Sequence, residues 1–281
     1  LAMRTLSLLL VSALAILIAL LAIYHHLHPE HPRMARWLPV LRHLPERFPY
    51  AALLLASVTA AGFAITAFAR PWYADVLLSS QVEAWRATAV DAFALGVTLL
   101  GDPFIMLLTG LLIILWVSLS EQHRLSAILL ISSAVMVCAI PLLKATFDVA
   151  RPDLVALPPG SGAFPSSHAA GTAFFLGLLT GFANQRRPAM SRWHLYLPAG
   201  MAMVVEALSR VWLGVHWLSD VVAGLCLGLL LAALTQAFHR LSGRTLADLR
   251  NSLPLWLLVL LTTAAYLIIA WPMAYEAYRL N

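Results

Sequence analysis

The feature that most limits the fold of this chain is the length and number of its apolar stretches. Runs of roughly 16 to 25 predominantly apolar residues recur along it, the length of α-helix that crosses a hydrocarbon core about 30 Å thick. Only 11% of the 281 residues are charged and 61% are hydrophobic, whereas about a quarter of the residues of a soluble domain are charged. The sequence therefore predicts an all-α integral membrane protein and argues against a soluble globular one.

We predict eight transmembrane helices, joined by short polar loops. The first resembles the apolar part of a signal peptide, but no small-residue cleavage site follows it, so we interpret it as a retained helix. The region 78–98 is predicted to be a partly amphipathic helix on the outer membrane surface. The eight predicted helices are approximately 6–24, 50–69, 103–119, 125–143, 168–184, 195–210, 213–237 and 254–273.

The arginines indicate how these helices are oriented in the membrane. If the spans alternate, eleven of the 18 basic residues fall in loops on one side, and that side is cytoplasmic because cytoplasmic loops carry an excess of Lys and Arg. These arginines are scattered over several loops instead of being gathered on one face. The net charge of +5 therefore does not indicate nucleic-acid binding. The arginine-rich loops are 25–49, 120–124, 185–194 and 238–253, and the loops expected outside are 70–102, 144–167 and 211–212.

Three polar clusters lie at predicted outward ends of helices, although they are far apart in the sequence. Alternation of the spans brings all three to the same side of the membrane, where they can form one pocket at the surface. The first cluster is KATFDVARP, with Lys144, Arg151 and Pro152; the second is FPSSHAAG, with Pro165, Ser166, Ser167 and His168; the third is SRVWLGVHWLSD, with Ser209, Arg210, His216 and Asp220.

The cations of these clusters are suited to binding a phosphoryl group. Lys144, the only lysine of the chain, offers a compact ammonium on a flexible stem, while Arg151 and Arg210 offer forked hydrogen bonds to phosphate oxygens. Ser166 and Ser167 can cap the helix that follows them, and the free N–H groups of a helix N-terminus also bind anions. Taken alone, Lys144 and Arg151 could instead be interfacial anchors.

The two histidines of the clusters are candidates for the chemical step. His216 and Asp220 are four residues apart, so on a helix they share a face, and the carboxylate can fix the imidazole tautomer and leave the other nitrogen free to attack. His168 has no such partner nearby in sequence and suits a general acid that protonates a leaving alkoxide. We therefore predict in-line phosphoryl transfer to His216 through a phosphohistidine, which water activated by His168 hydrolyses.

Two acidic residues are candidates for supporting roles around the cations. Glu206 lies four residues before Arg210 within a predicted span, where an unpaired carboxylate is unfavourable, so we predict that it pairs with Arg210. A protonated Glu206 or another polar contact is the alternative. Asp148 lies four residues after Lys144 and is expected either to hold that lysine or to line the pocket.

The three clusters resemble the signature motifs of the type 2 phosphatidic acid phosphatase superfamily, which also includes vanadium haloperoxidases and some acid phosphatases. The family pattern is Lys-x6-Arg-Pro, then Pro-Ser-Gly-His, then Ser-Arg-x5-His-x3-Asp, and the chain departs from it only at Ser167, which replaces glycine. The resemblance implies that His216 is the nucleophile, Asp220 its orienting carboxylate and His168 the acid and base. It also implies phosphate binding by Lys144, Arg151, Ser166, Arg210 and the amide near Ser167.

The resemblance implies an enzyme that needs no metal or other cofactor and removes phosphate from a lipid phosphate or isoprenoid diphosphate. We expect a six-helix phosphatase core over 50–238, preceded by a helix and basic loop over 1–49 and followed by a linker and helix over 239–281. The expected location is the cytoplasmic membrane of a bacterium, with the site facing outward and no predictable protein partner. The alternatives are a lipid phosphotransferase with the same site and a lipid-phosphate transporter.

Overall fold

The part of the chain that the structure describes is built from nine α-helices. The structure is a computed structural model that describes residues 50–68, 72–86, 88–152, 154–155, 160–185, 191–241 and 252–278. The predicted first helix and the loop 25–49 lie outside the described residues. In chain order the helices are α1 (Tyr50–Phe68), α2 (Tyr73–Trp85), α3 (Thr88–Leu100), α4 (Pro103–Leu119), α5 (His123–Phe147), α6 (Ser167–Ala183), α7 (Trp193–Trp212), α8 (Leu218–Leu241) and α9 (Leu253–Ala277).

The prediction of an all-α membrane protein is confirmed, and each predicted helix from 50–69 onward coincides with an observed one. Four stretches of the described residues can cross a membrane by length and composition: Ala89–Leu119, α5, α8 and α9. The pair α1 and α2, bent by 78°, would add a fifth. The two other helices predicted to cross the membrane, α6 and α7, do not qualify by length and composition. Helix α6 has only 17 residues, and the polar side chains of α7 lower its hydropathy.

The prediction of one surface helix over 78–98 is wrong, because the chain breaks there into α2 and α3. Arg86 follows α2 in an extended conformation, and its side chain holds the break. Its Nε donates to Asp91 Oδ1 over 3.1 Å, and its Nη2 donates to the Tyr278 carbonyl over 3.0 Å. Most of α3 then joins α4 in the apolar stretch Ala89–Leu119, which is long enough to cross a membrane. Helix α3 is therefore not part of a surface helix.

The centre of the protein is the contact between α6 and α8, the most extensive between any two described helices. Small residues allow these two helices to approach closely, as in membrane helix pairs generally. A Cβ atom added to Gly224 of α8 would lie 2.6 Å from the Ser166 carbonyl oxygen and 3.1 Å from Ala169 Cβ. The N-terminal ends of α6 and α8 are thereby brought together.

A buried carboxylate fixes the start of α8 from a third helix. Asp75 of α2 accepts hydrogen bonds from the Ser219 backbone N–H over 2.8 Å and from the Ser219 hydroxyl over 2.7 Å. Both residues are buried, so neither donor of Ser219 could turn to water. Asp75 therefore holds the first turn of α8, which carries Asp220, against α2.

We expect Gly224→Ala to destabilise the protein by about 1–3 kcal/mol, because the added methyl group would force α8 away from α6. The measurement is thermal unfolding of the purified protein in detergent. Gly200→Ala in α7 is the matched control, since a Cβ there meets nothing within 4 Å and alanine favours the helix. Equal melting temperatures for the two variants would contradict the close packing of α6 against α8 at Gly224.

We expect Asp75→Ala to lower the stability by about 1–3 kcal/mol, because it leaves two buried donors of Ser219 without an acceptor. Ser219→Ala removes one of those donors, so its effect and that of Asp75→Ala should not add in the double variant. Thermal unfolding of the two single variants and the double variant measures this coupling. Strictly additive losses would show that the two side chains act independently.

Candidate active site

The predicted pair of His216 and Asp220 forms at the start of α8. Asp220 Oδ2 lies 3.4 Å from His216 Nδ1 and accepts the Trp217 backbone N–H over 2.9 Å, and both side chains are buried. The pair does not arise as predicted from two residues on one helix face, because His216 lies in the turn before α8. Gly214, with a φ of +70°, reverses the chain there in a conformation that glycine adopts without strain.

The second nitrogen of His216 faces Arg151. Arg151 Nη1 lies 3.2 Å from His216 Nε2 and donates to the Val215 carbonyl over 2.7 Å. Since a guanidinium can only donate, Nε2 is the acceptor and the ring proton is on Nδ1, towards Asp220. Burial, and then the charges of Arg210, Arg151 and Lys144, hold the pKa of His216 well below its usual value. The ring is therefore neutral, with its lone pair on the side of the cations.

Lys144 and Arg151 converge on the loop that leads into α6. Lys144 Nζ, in the last turn of α5, donates to the Gly162 carbonyl over 2.5 Å, and Arg151 Nη2 lies 3.3 Å from the same oxygen. Arg151 Nε donates to the Ser161 carbonyl over 2.9 Å. The first motif is thereby held beside the second, as the topology predicted.

The second motif meets the third through the backbone. The Ser166 N–H donates to the Asp220 carbonyl over 3.0 Å, and the Ser166 hydroxyl caps α6 by accepting the Ala169 N–H at 3.5 Å. Ser167 is the first residue of the helix and is half-buried. The N-terminus of α6 therefore lies against the turn that carries His216, where its free N–H groups can bind an anion.

Arg210 has hydrogen-bond partners that the sequence did not reveal. Its Nη1 donates to Thr98 Oγ1 over 2.6 Å and to the Tyr278 hydroxyl over 3.0 Å, and the guanidinium lies 5.1 Å from the centre of the Tyr278 ring. Only 1% of Arg210 is exposed. Thr98 belongs to α3, and Tyr278 follows α9, which packs against α3 and α4.

The predicted hydrogen-bonded pair of Glu206 and Arg210 is not present. Both carboxylate oxygens of Glu206 are buried without a hydrogen-bond partner among the described residues, because the Glu206 side chain packs against Gly101 and Arg210 turns to Thr98 and Tyr278 instead. The Ser209 hydroxyl donates to the Glu206 carbonyl over 2.6 Å, so it is occupied within α7.

Asp148 does not hold Lys144. Its side chain is exposed, and its backbone N–H closes α5 by donating to the Lys144 carbonyl over 3.0 Å, with a φ of +41°. The Lys144 ammonium bonds to Gly162 instead of Asp148. The spacing of four residues fails to bring the two side chains together because the helix ends between them.

His168 does have a carboxylate partner, which the sequence analysis missed. Its Nε2 lies 3.6 Å from Asp102 Oδ2, across 66 positions of the sequence. Asp102 stands before Pro103 at the start of α4, a recognisable helix cap, but nothing in that local pattern indicates His168. The charges of Arg210 and Arg151 act on the His168 ring, as they do on the ring of His216.

Comparison with known proteins agrees with this arrangement. Residues 123–244 match the PAP2 superfamily, the family of type 2 phosphatidic acid phosphatases. The chain is 36% identical over 100 residues to phosphatidylglycerophosphatase B of Bacillus subtilis, a match that covers 34% of this chain and 49% of that protein. The chain thus spans about half the length of the curated relative that it matches.

A crystal structure shows a similar fold. It is that of a transmembrane PAP2 type phosphatidylglycerolphosphate phosphatase from Bacillus subtilis, which is 26% identical, with a TM-score of 0.56 over 68% of this chain and 96% of the other. The matched residues 123–244 contain all three motifs, and the structure gathers those motifs at one end of the helices. Residues 123–244, which carry the three motifs, are therefore similar to the PAP2 superfamily.

Proposed function

We propose that this protein is a lipid phosphatase that hydrolyses a phosphomonoester or diphosphate of a membrane lipid without a metal ion. The observation that carries the proposal is the buried pair of His216 and Asp220, whose free ring nitrogen faces Arg151 at 3.2 Å. A neutral imidazole oriented by a carboxylate and surrounded by cations is suited to attack a phosphorus atom. A transporter that only binds a headgroup would not need this pair.

In the first step, the phosphoryl group is held by Lys144, Arg151, Arg210 and the N-terminus of α6. His216 Nε2 attacks phosphorus, a bond forms between them, and the bond from phosphorus to the lipid oxygen breaks. His168 donates a proton to that oxygen, so the lipid leaves as an alcohol or a lower phosphate. The cations and N–H groups stabilise the charge on the remaining phosphate oxygens, which is the main requirement of phosphoryl transfer.

In the second step, water hydrolyses the phosphohistidine. His168, now neutral, accepts a proton from the water molecule as its oxygen attacks phosphorus. The bond from phosphorus to Nε2 breaks, inorganic phosphate is released, and His216 regains its lone pair. Asp220 keeps its hydrogen bond to Nδ1 throughout, so the ring remains in the orientation that both steps need.

An apolar cavity beside the site supports a lipid as the substrate. The cavity has a volume of about 680 Å³, lies between α4, α5 and α6, and extends from Ser167 at the site end to Trp256. The 17 residues of α6 span about 25 Å at 1.5 Å per residue, close to the hydrocarbon thickness of a bilayer, about 30 Å. A lipid chain in this cavity would place its headgroup at the start of α6.

The names of the relatives suggest the first substrate to test. Both similar proteins are named for action on phosphatidylglycerophosphate, and we propose that this lipid is a substrate here. Phosphatidate and undecaprenyl diphosphate carry the same terminal phosphate on different lipids, so they complete the panel. The membrane-facing helix surfaces, rather than the polar site, would then decide between them.

We expect the purified protein in detergent to release inorganic phosphate from at least one of these lipids in the presence of EDTA and without an acceptor. His216→Ala should reduce the release to background, because it removes the proposed nucleophile. Rapid quenching should also trap an acid-labile, alkali-stable phosphorylated protein with the unsubstituted chain and not with His216→Ala.

The control for this experiment is Glu121→Gln, an exposed position at the turn between α4 and α5, which should keep full activity. Release that stops in EDTA would contradict the metal-independent mechanism. Phosphate transfer that occurs only when a lipid or sugar acceptor is added would identify a phosphotransferase. Lipid binding without any turnover would favour the transporter.

We also propose that the site faces the outside of the cytoplasmic membrane, as the arginine distribution predicts. In a variant without Cys138 and Cys226, Asp148→Cys lies at the site end and Glu121→Cys at the opposite end of α5. A membrane-impermeant maleimide added to intact cells should label position 148 and not position 121. The reverse pattern would contradict the proposed orientation.

A further inference from the structure

A second carboxylate faces a second histidine at the candidate active site. His168 is the acid of the proposed mechanism, and its Nε2 lies 3.6 Å from Asp102 Oδ2. Asp102 lies outside the residues 123–244 that match the family. We propose that Asp102 is the positioning residue of His168: it fixes the ring and stabilises the protonated form that delivers the proton to the leaving lipid. This inference rests on the proposed function.

The surroundings of Asp102 hold its carboxylate in place. Asp102 caps α4, and its Oδ1 accepts the Phe104 backbone N–H over 2.8 Å, which leaves Oδ2 for His168. The positive end of the α4 dipole favours a negative charge at this position. Tyr266 of α9 also faces the carboxylate, and its ring lies 5.9 Å from that of Phe104. The two oxygens of Asp102 thus have separate partners.

The orientation of His168 leaves its other nitrogen for the reaction. With Nε2–H directed at Asp102, Nδ1 is the nitrogen that can face the substrate, and it is buried without a hydrogen-bond partner among the described residues. Buried polar atoms without a partner are rare in folded proteins and call for a functional explanation. A leaving-group oxygen bonded to Nδ1 would supply the missing partner.

Charge explains why His168 needs a carboxylate in this pocket. Arg210 and Arg151, the cations proposed to bind phosphate, also interact with the His168 ring, and like charges disfavour a protonated imidazole. The acid must nevertheless carry a proton on both nitrogens before it donates the one on Nδ1. Asp102 lies on the side of the ring away from the reacting oxygen and provides the negative charge that supports this form.

The test uses substrates that differ in how much they need the acid. Phosphatidate releases an alkoxide, which must be protonated as it leaves, whereas 4-nitrophenyl phosphate releases a phenolate that is stable without a proton. The quantity to measure is kcat/KM, because it reports the steps up to departure of the leaving group. Comparing each variant with the unsubstituted protein on the same substrate removes differences in binding between the two substrates.

We expect Asp102→Asn to lower kcat/KM about 10- to 100-fold for phosphatidate and less than about 3-fold for 4-nitrophenyl phosphate. The loss on phosphatidate is smaller than the whole contribution of a general acid, because His168 itself is still present. Asparagine keeps an oxygen to cap α4, and Asp102→Ser, which also keeps a cap acceptor, should give the same pattern. His168→Ala should show the same dependence on leaving group with a larger loss. Glu121→Gln, at the far end of α4, should change neither value.

Equal losses on the two substrates, or no loss on either, would overturn the role of Asp102 while leaving the proposed function intact. If the unsubstituted protein releases phosphate from neither substrate or any lipid of the panel, the proposed function fails, and the inference about Asp102 fails with it. Unfolding temperatures of Asp102→Asn and Asp102→Ser identify any loss that comes from a weakened α4.

Discussion

The contact between the N-terminal ends of α6 and α8 is the constraint on which the rest of the site depends. The Ser166 N–H reaches the Asp220 carbonyl over 3.0 Å only because Gly224 leaves room for the Ser166 backbone. This hydrogen bond joins the N-terminus of α6, which can bind an anion, to the first turn of α8, directly after the turn that carries His216. Asp75 then fixes the same turn from α2, so the position of His216 depends on three helices.

The electrostatics of the site depend on the hydrogen-bond partners of its three cations. Lys144 and Arg151 donate to backbone carbonyls, and Arg210 donates to two hydroxyls. These carbonyl and hydroxyl oxygens carry no net charge, so the hydrogen bonds that they accept do not neutralise the three cations. Their charges therefore remain available to an anion instead of being cancelled within the protein. The carboxylates of Asp102 and Asp220 face histidines.

The surrounding bilayer limits what the apolar cavity can contribute to binding. A lipid chain gains little free energy by moving from the hydrocarbon core into an apolar cavity, because both environments exclude water. A cavity of about 680 Å³ that ends at Ser167 is therefore better suited to positioning a headgroup than to capturing a lipid. For the lipid substrates proposed above, affinity would come mainly from the phosphate and its cations, which would allow one polar site to serve several lipids.

The sequence by itself determined the seven predicted transmembrane helices that lie among the described residues. The length of apolar runs is set by membrane thickness, and the predicted ends agree with the observed ones within a few residues. It also predicted Lys144, Arg151, Ser166, His168, His216 and Asp220 as site residues, because their spacings within each motif are local. It failed at the break near Arg86, which depends on Asp91 and Tyr278. It also failed at the predicted pairs of Glu206 with Arg210 and of Asp148 with Lys144, where spacing alone was misleading.

Only the tertiary structure decided which partners these residues have. Thr98 and Tyr278 hold Arg210, and Asp102 reaches His168, although each of these pairs joins residues distant in the sequence. Helical periodicity relates residues within about two turns, so it carries no information on which face of another helix lies opposite. That information comes from the packing of α3, α4 and α9 around the core, which is set by side-chain shape across the whole bundle.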